Sequence, residues 1–139
     1  MHRRALLLAL SSAPVLLFTS EAFAGSYLDR SALLLDGSRR DAEALRAKLT
    51  DKELAKVVEA VADARQTAAS KMDVPAKVAK AHPHLLLTLA NVERAAQAAI
   101  EGRTTQVLEH LESSKREETI FRSTLSELGF PLPKATHAS

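Results

Sequence analysis

The chain has 139 residues, 19 Lys and Arg against 17 Asp and Glu, 46% hydrophobic residues and no cysteine. One Tyr, four Phe and no Trp supply neither the base-stacking platforms of nucleic-acid binders nor the aromatic-rich pockets of many ligand-binding domains. The missing cysteines exclude disulfides, thiol nucleophiles, covalent c-type haem and a lipid-modified N-terminal cysteine.

Met1-His2-Arg3-Arg4 is basic, Ala5 to Phe18 is apolar, and Ala22-Phe23-Ala24 has the small-x-small pattern of a cleavage site. Together these predict a secretory signal peptide over residues 1–24, with a mature chain beginning at Gly25. The alternative is an uncleaved anchor. The apolar run is interrupted by Ser11, Ser12 and Pro14 and falls short of the roughly 20 residues that span a bilayer. The expected location is therefore periplasmic or secreted, with no stable membrane insertion after cleavage. Losing Arg3, Arg4 and Glu21 leaves 17 basic against 16 acidic residues, a net charge of about +1. That balance gives no reason to expect nucleic acid as a partner.

Alanine and leucine dominate the rest, without period-two alternation, which predicts an all-α fold. The first helix is expected from about Ser26 to Leu49, with Leu28, Ala32, Leu35, Ala42 and Leu49 on one face. Asp36-Gly37-Ser38 predicts a kink there or a division into two shorter helices. A capping box, Thr50 with Glu53, opens the second helix, whose stripe is Leu54, Val58, Val61, Ala68 and Met72. Asp73-Val74-Pro75 ends it. Between Pro75 and Pro83 a loose turn is expected, with His82 held out of helical geometry by the proline after it. A third helix runs from Pro83 to Gly102 and a fourth from Thr104 to Gly129, both glycines suiting the left-handed residue past a helix end. Phe130 should fold back onto the last turn.

Four helices with short links predict an antiparallel up-down-up-down four-helix bundle over residues 25–133, followed by a disordered tail, residues 134–139. The rival architecture is a pair of hairpins that completes its core as a homodimer. One apolar stripe per helix favours the monomer. Leu34, Leu87 and Ile120 fall off the stripes as a partner patch.

No Gly-x-Ser-x-Gly elbow or glycine-rich phosphate loop is present, and carboxylate pairs such as Glu117-Glu118 suit solvated helix surfaces, so no enzyme is expected. No glutamate precedes a histidine by three residues, which removes the di-iron pattern. In an up-down bundle His82, His84 and Met72 share one end, with Tyr27 and His137, while His110 lies about 25 Å away. His82, His84 and Met72 form a metal site for copper or nickel, or hold a noncovalent haem, in the alternative reading. Arg65 and Glu118 sit where apolar residues are expected. They are predicted to pair across the bundle, with Glu93 as a third member and Ser114 adding a hydroxyl to this buried polar layer. The leading expectation is a non-enzymatic, exported bundle that binds an unidentified protein partner or serves as a structural module.

Overall fold

The computed structural model describes residues 2–133, with side chains from Phe23 onward. The expected tail, residues 134–139, lies outside the described residues, as do the side chains of residues 1–22. Four α-helices account for the fold, and no strand occurs among the described residues: α1 (His2–Ala47), α2 (Lys52–Ser70), α3 (His82–Ile100) and α4 (Thr104–Glu127). The chain is an all-helical bundle.

Helix α1 is 46 residues long, against 19, 19 and 24 for the others. At 1.5 Å per residue it spans about 69 Å, and the others about 28 to 36 Å. Its buried residues recur at three- and four-residue steps from Ala24 through Tyr27, Ser31 and Leu35 to Ser38, and resume two turns later at Leu45. The helix does not break at Asp36-Gly37-Ser38, contrary to the expected interruption. A mid-helix glycine costs about 0.5–1 kcal/mol relative to alanine. Here it makes room: a Cβ on Gly37 would lie 2.7–2.9 Å from the Arg65 guanidinium.

The cap of α2 falls one residue later than the sequence suggests. Asp51, not Thr50, takes the capping geometry, and its carboxylate accepts the Leu54 amide at 3.0 Å. Aspartate caps better than threonine, and the one-residue shift leaves Glu53 to pair with Lys56 instead of closing a box. Asp51→Ala is expected to cost about 1 kcal/mol and Thr50→Ala almost nothing, as read from urea midpoints.

Helix α2 ends at Ser70, ahead of the expected Asp73-Val74-Pro75. The link to α3 is better ordered than a loose turn. Ala76–Val78 form a 3₁₀ turn, and Val78 and Ala81 are fully buried. Bonds from the Ala81 amide to the Val78 carbonyl (3.0 Å) and from His82 to Ala79 (3.3 Å) carry the turn directly into α3. The helix therefore takes in His82 itself, contrary to the expected exclusion, because the preceding turn is already helical in sense.

Helices α3 and α4 end as the sequence predicts. Gly102 and Gly129 have φ of 76° and 92°. The Arg103 amide reaches the Ala98 carbonyl and the Phe130 amide the Leu125 carbonyl, both at 2.8 Å, the Schellman pattern. Phe130 packs against the cluster that Leu125 helps to form.

Helix α3 is the hub. It packs against each of the other three helices, whereas α2 and α4 make little or no mutual contact and α1 and α4 meet sparsely. One apolar cluster joins Leu45, Ala55, Val58, Val92, Ala99 and Val107; the other joins Tyr27, Leu35, Ala69, Leu85, Phe121 and Leu125. Leu34 packs against the second cluster, while Leu87 and Ile120 are exposed, at 39% and 41%. The α2 stripe needs a further correction: Val61 is 38% exposed and Ala68 also faces solvent.

Candidate functional site, a groove between the first and fourth helices

The polar residues on α1 decide what lies at the middle of the bundle. Arg65 pairs with Asp41, and Glu118 pairs with Arg39 and, at 2.8 Å, with Arg122. Arg39 also approaches Asp36 at 3.6 Å. The direct Arg65–Glu118 pair expected from the sequence does not form. That pair requires the second and fourth helices to face each other across the bundle. In the molecule α2 and α4 lie on opposite flanks of α3, and α1 offers each a nearer partner of opposite charge. Ser114 is buried, but its hydroxyl donates to the Thr88 carbonyl at 2.9 Å. Glu93 is elsewhere, beside Asp63 and Glu59 of α2. Partial burial, then those two carboxylates, push its carboxyl above the usual range.

The histidines at the other end have separate partners. The Tyr27 phenol and Nδ1 of His82 lie 2.8 Å apart, their rings tilted by 55°. Burial pushes Tyr27 up to about 12, so the phenol keeps its proton; the nearby Ser31 hydroxyl opposes the shift only in part. Burial also lowers His82, against the pull of a hydrogen bond to the Ala69 backbone. His84 Nδ1 lies 2.7 Å from a Glu117 carboxylate oxygen. Met72 packs against the apolar cluster around Tyr27. Among the described residues, no group of three or more His, Asp or Glu side chains is arranged to hold a metal. A metal there would have to use the outer nitrogens or displace these partners.

His82 gives the stability a pH dependence of defined sign. Its folded value lies below an unfolded value near 6.5. Its contribution is complete above that pH and is lost as the pH falls toward the folded value. Urea midpoints are expected to drop from about pH 7 downward, and the drop should flatten in His82→Gln. Parallel curves for the two proteins would show that His82 titrates as it does in water.

The sparse seam between α1 and α4 leaves a groove of about 420 Å³. Small or apolar side chains, Ser38, Ala42, Leu111 and Ser114, form its floor. Arg39, Glu43 and Arg46 line the α1 wall; Glu112, Lys115 and Glu118 line the α4 wall. Arg39 and Glu118 bridge the seam as a strut. Among the described residues Glu43, Arg46, Glu112 and Lys115 make no ion pair, so their charges face outward unspent. A shallower recess shares Glu112 and Lys115 and continues over α4 to Ile120. The chemistry on offer is apolar contact with charges of both signs at the edges. Sequence periodicity misses this groove, because each wall alone reads as an ordinary solvated helix face. The one signal is the polar run Asp36–Asp41 inside a helix, where Arg39 and Asp41 flank the buried stripe.

The chain matches no family model, no curated protein and no solved structure.

Proposed function

We propose that this protein is an exported, non-enzymatic helical bundle that binds a protein partner, taking an amphipathic helix of that partner into the α1–α4 groove. The observation that carries the reading is the groove itself, a floor of small and apolar side chains between walls on which Glu43, Arg46, Glu112 and Lys115 make no ion pair among the described residues. A helix laid there would cover Ala42 and Leu111 and meet Arg46 and Lys115 with acidic side chains, Glu43 and Glu112 with basic ones. The continuing recess to Ile120 extends the apolar contact beyond one turn. Catalysis is left out because the polar side chains at the bundle's centre and end engage one another, and the sequence carries no nucleophile motif.

The helices are read as running up-down-up-down, in antiparallel order. Leu45, Ala55, Ala99 and Val107 belonging to one cluster, and Tyr27, Ala69, Leu85 and Leu125 to the other, support that order. Export rests on Arg3-Arg4, the apolar run and Ala22-Phe23-Ala24. Processing after Ala24 would make Gly25 the start of α1 and keep the buried stripe from Tyr27 onward. Intact mass of the periplasmic or secreted protein is expected to begin at Gly25. Retention of residues 1–24 would replace export with anchoring.

The groove is tested by reversing its free charges. Arg46→Glu with Lys115→Glu should weaken partner binding by about tenfold or more, whereas Arg94→Glu, at an exposed position of α3, should leave it unchanged. Equal effects from both would remove the groove as the docking site.

A further inference from the structure

Helix α2 has a second apolar face. Its inner face, Ala55, Val58, Ala62 and Ala69, is buried in the bundle. Its outer face carries Val57, Ala60, Val61, Ala64 and Ala68, with Val57 61% and Val61 38% exposed. An exposed aliphatic face of this kind marks an interaction surface.

The order of residues along it identifies the occupant. Glu53, Val57, Ala60, Ala64, Thr67 and Lys71 follow one another at alternating steps of four and three, the 3.5-residue period of a two-helix seam. Reversed end for end, that order complements itself. A second α2 running antiparallel sets Glu53 against Lys71 of the second copy, Val57 against Thr67, and Ala60 against Ala64. Both charged ends then find opposite charges, and the small central residues let the two backbones approach closely. A parallel copy would instead set Glu53 beside Glu53 and Lys71 beside Lys71. Among the described residues Glu53 has only the exposed bond to Lys56 of its own helix, at 3.2 Å.

We infer that the outer face of α2 is a homodimer seam, in which two copies of this chain pack α2 against α2, antiparallel, closed at each end by Glu53 and Lys71. The seam lies on the flank of α2 away from α4, so it leaves the α1–α4 groove open and does not depend on it.

Sedimentation of the full chain across a wide concentration range tests this. The mass is expected to rise from the 15.0 kDa of one chain toward twice that value. Ala64→Glu alters an exposed site and should hold the protein at the single-chain mass, with an unchanged circular dichroism spectrum. Glu53→Lys should weaken dimerisation about tenfold, by turning two rim attractions into repulsions. Adding Lys71→Glu to that variant should restore it. A single-chain mass at millimolar concentration, a dimer indifferent to Ala64→Glu, or a double swap no tighter than the single one would each overturn the proposal.

Discussion

Replacing Phe121 with alanine is expected to lower the unfolding free energy by about 3–5 kcal/mol. Phe121 is fully buried and belongs to the cluster that joins Tyr27 and Leu35 of α1, Leu85 and Leu89 of α3, and Leu125 of α4. Three helices therefore line the space it fills, and they cannot all move in to close the cavity. The sequence is poor in aromatics, and among the described residues Tyr27 is the only other large ring in that cluster's fully buried set. Its neighbour gives the control. Ile120 is 41% exposed and points away from the cluster, so Ile120→Ala should stay within about 0.5 kcal/mol. Urea unfolding of the two variants reads the contrast. Equal losses would mean that α4 is turned about its axis from the register described.

The second large effect lies in the polar belt. Arg65 and Asp41 keep 19% and 25% of their side-chain surface exposed, so their pair is half-shielded and water can still reach a stranded charge. Arg65→Met or Asp41→Leu alone should cost about 1–3 kcal/mol, less than a fully buried pair would. The double variant should recover most of that loss, because no charge is then left without its partner. Gly37 enters the same account. Gly37→Ala in the native protein pushes the guanidinium aside and weakens the pair. In an Arg65→Ala background the added methyl meets no guanidinium, and the change should stabilise by the roughly 0.5–1 kcal/mol of helix propensity. Additive losses from Arg65→Met and Asp41→Leu would show that the two residues do not interact.

Local signals in the sequence translate directly into structure here. Gly102 and Gly129 mark the ends of α3 and α4 through their own left-handed backbone geometry, whereas Pro83 marks the start of α3 only to within a residue, because the preceding turn draws His82 into the helix. The cap of α2 is legible only to within one residue, since Thr50 and Asp51 both suit the role and the backbone chooses between them. Gly37 misleads: its reason is a side chain 28 positions later in the chain, and no window of α1 contains Arg65. The partner of Arg65 is illegible for a related cause. Periodicity gives the height and facing of a residue on its own helix, but which helices are neighbours depends on how all four pack. With α3 as hub, α1 meets both flanks and collects the charges of α2 and α4. Val61 and Ala68 fall on the predicted core stripe because an alanine-rich helix carries two apolar faces, and hydropathy alone does not choose between them. The groove is the least legible of all, being a property of the sparse contact between α1 and α4 rather than of either helix.

A photo-reactive side chain placed at Lys115, in the groove, tests partner binding most directly when compared with the same group at Gln97, an exposed position of α3. In the native host the Lys115 position should give one discrete protein adduct, and the Gln97 position none. Filling the groove floor with Ala42→Arg should abolish that adduct without changing the helical content. Matching adducts from both positions, or an adduct that survives Ala42→Arg, would contradict a partner helix lying between α1 and α4.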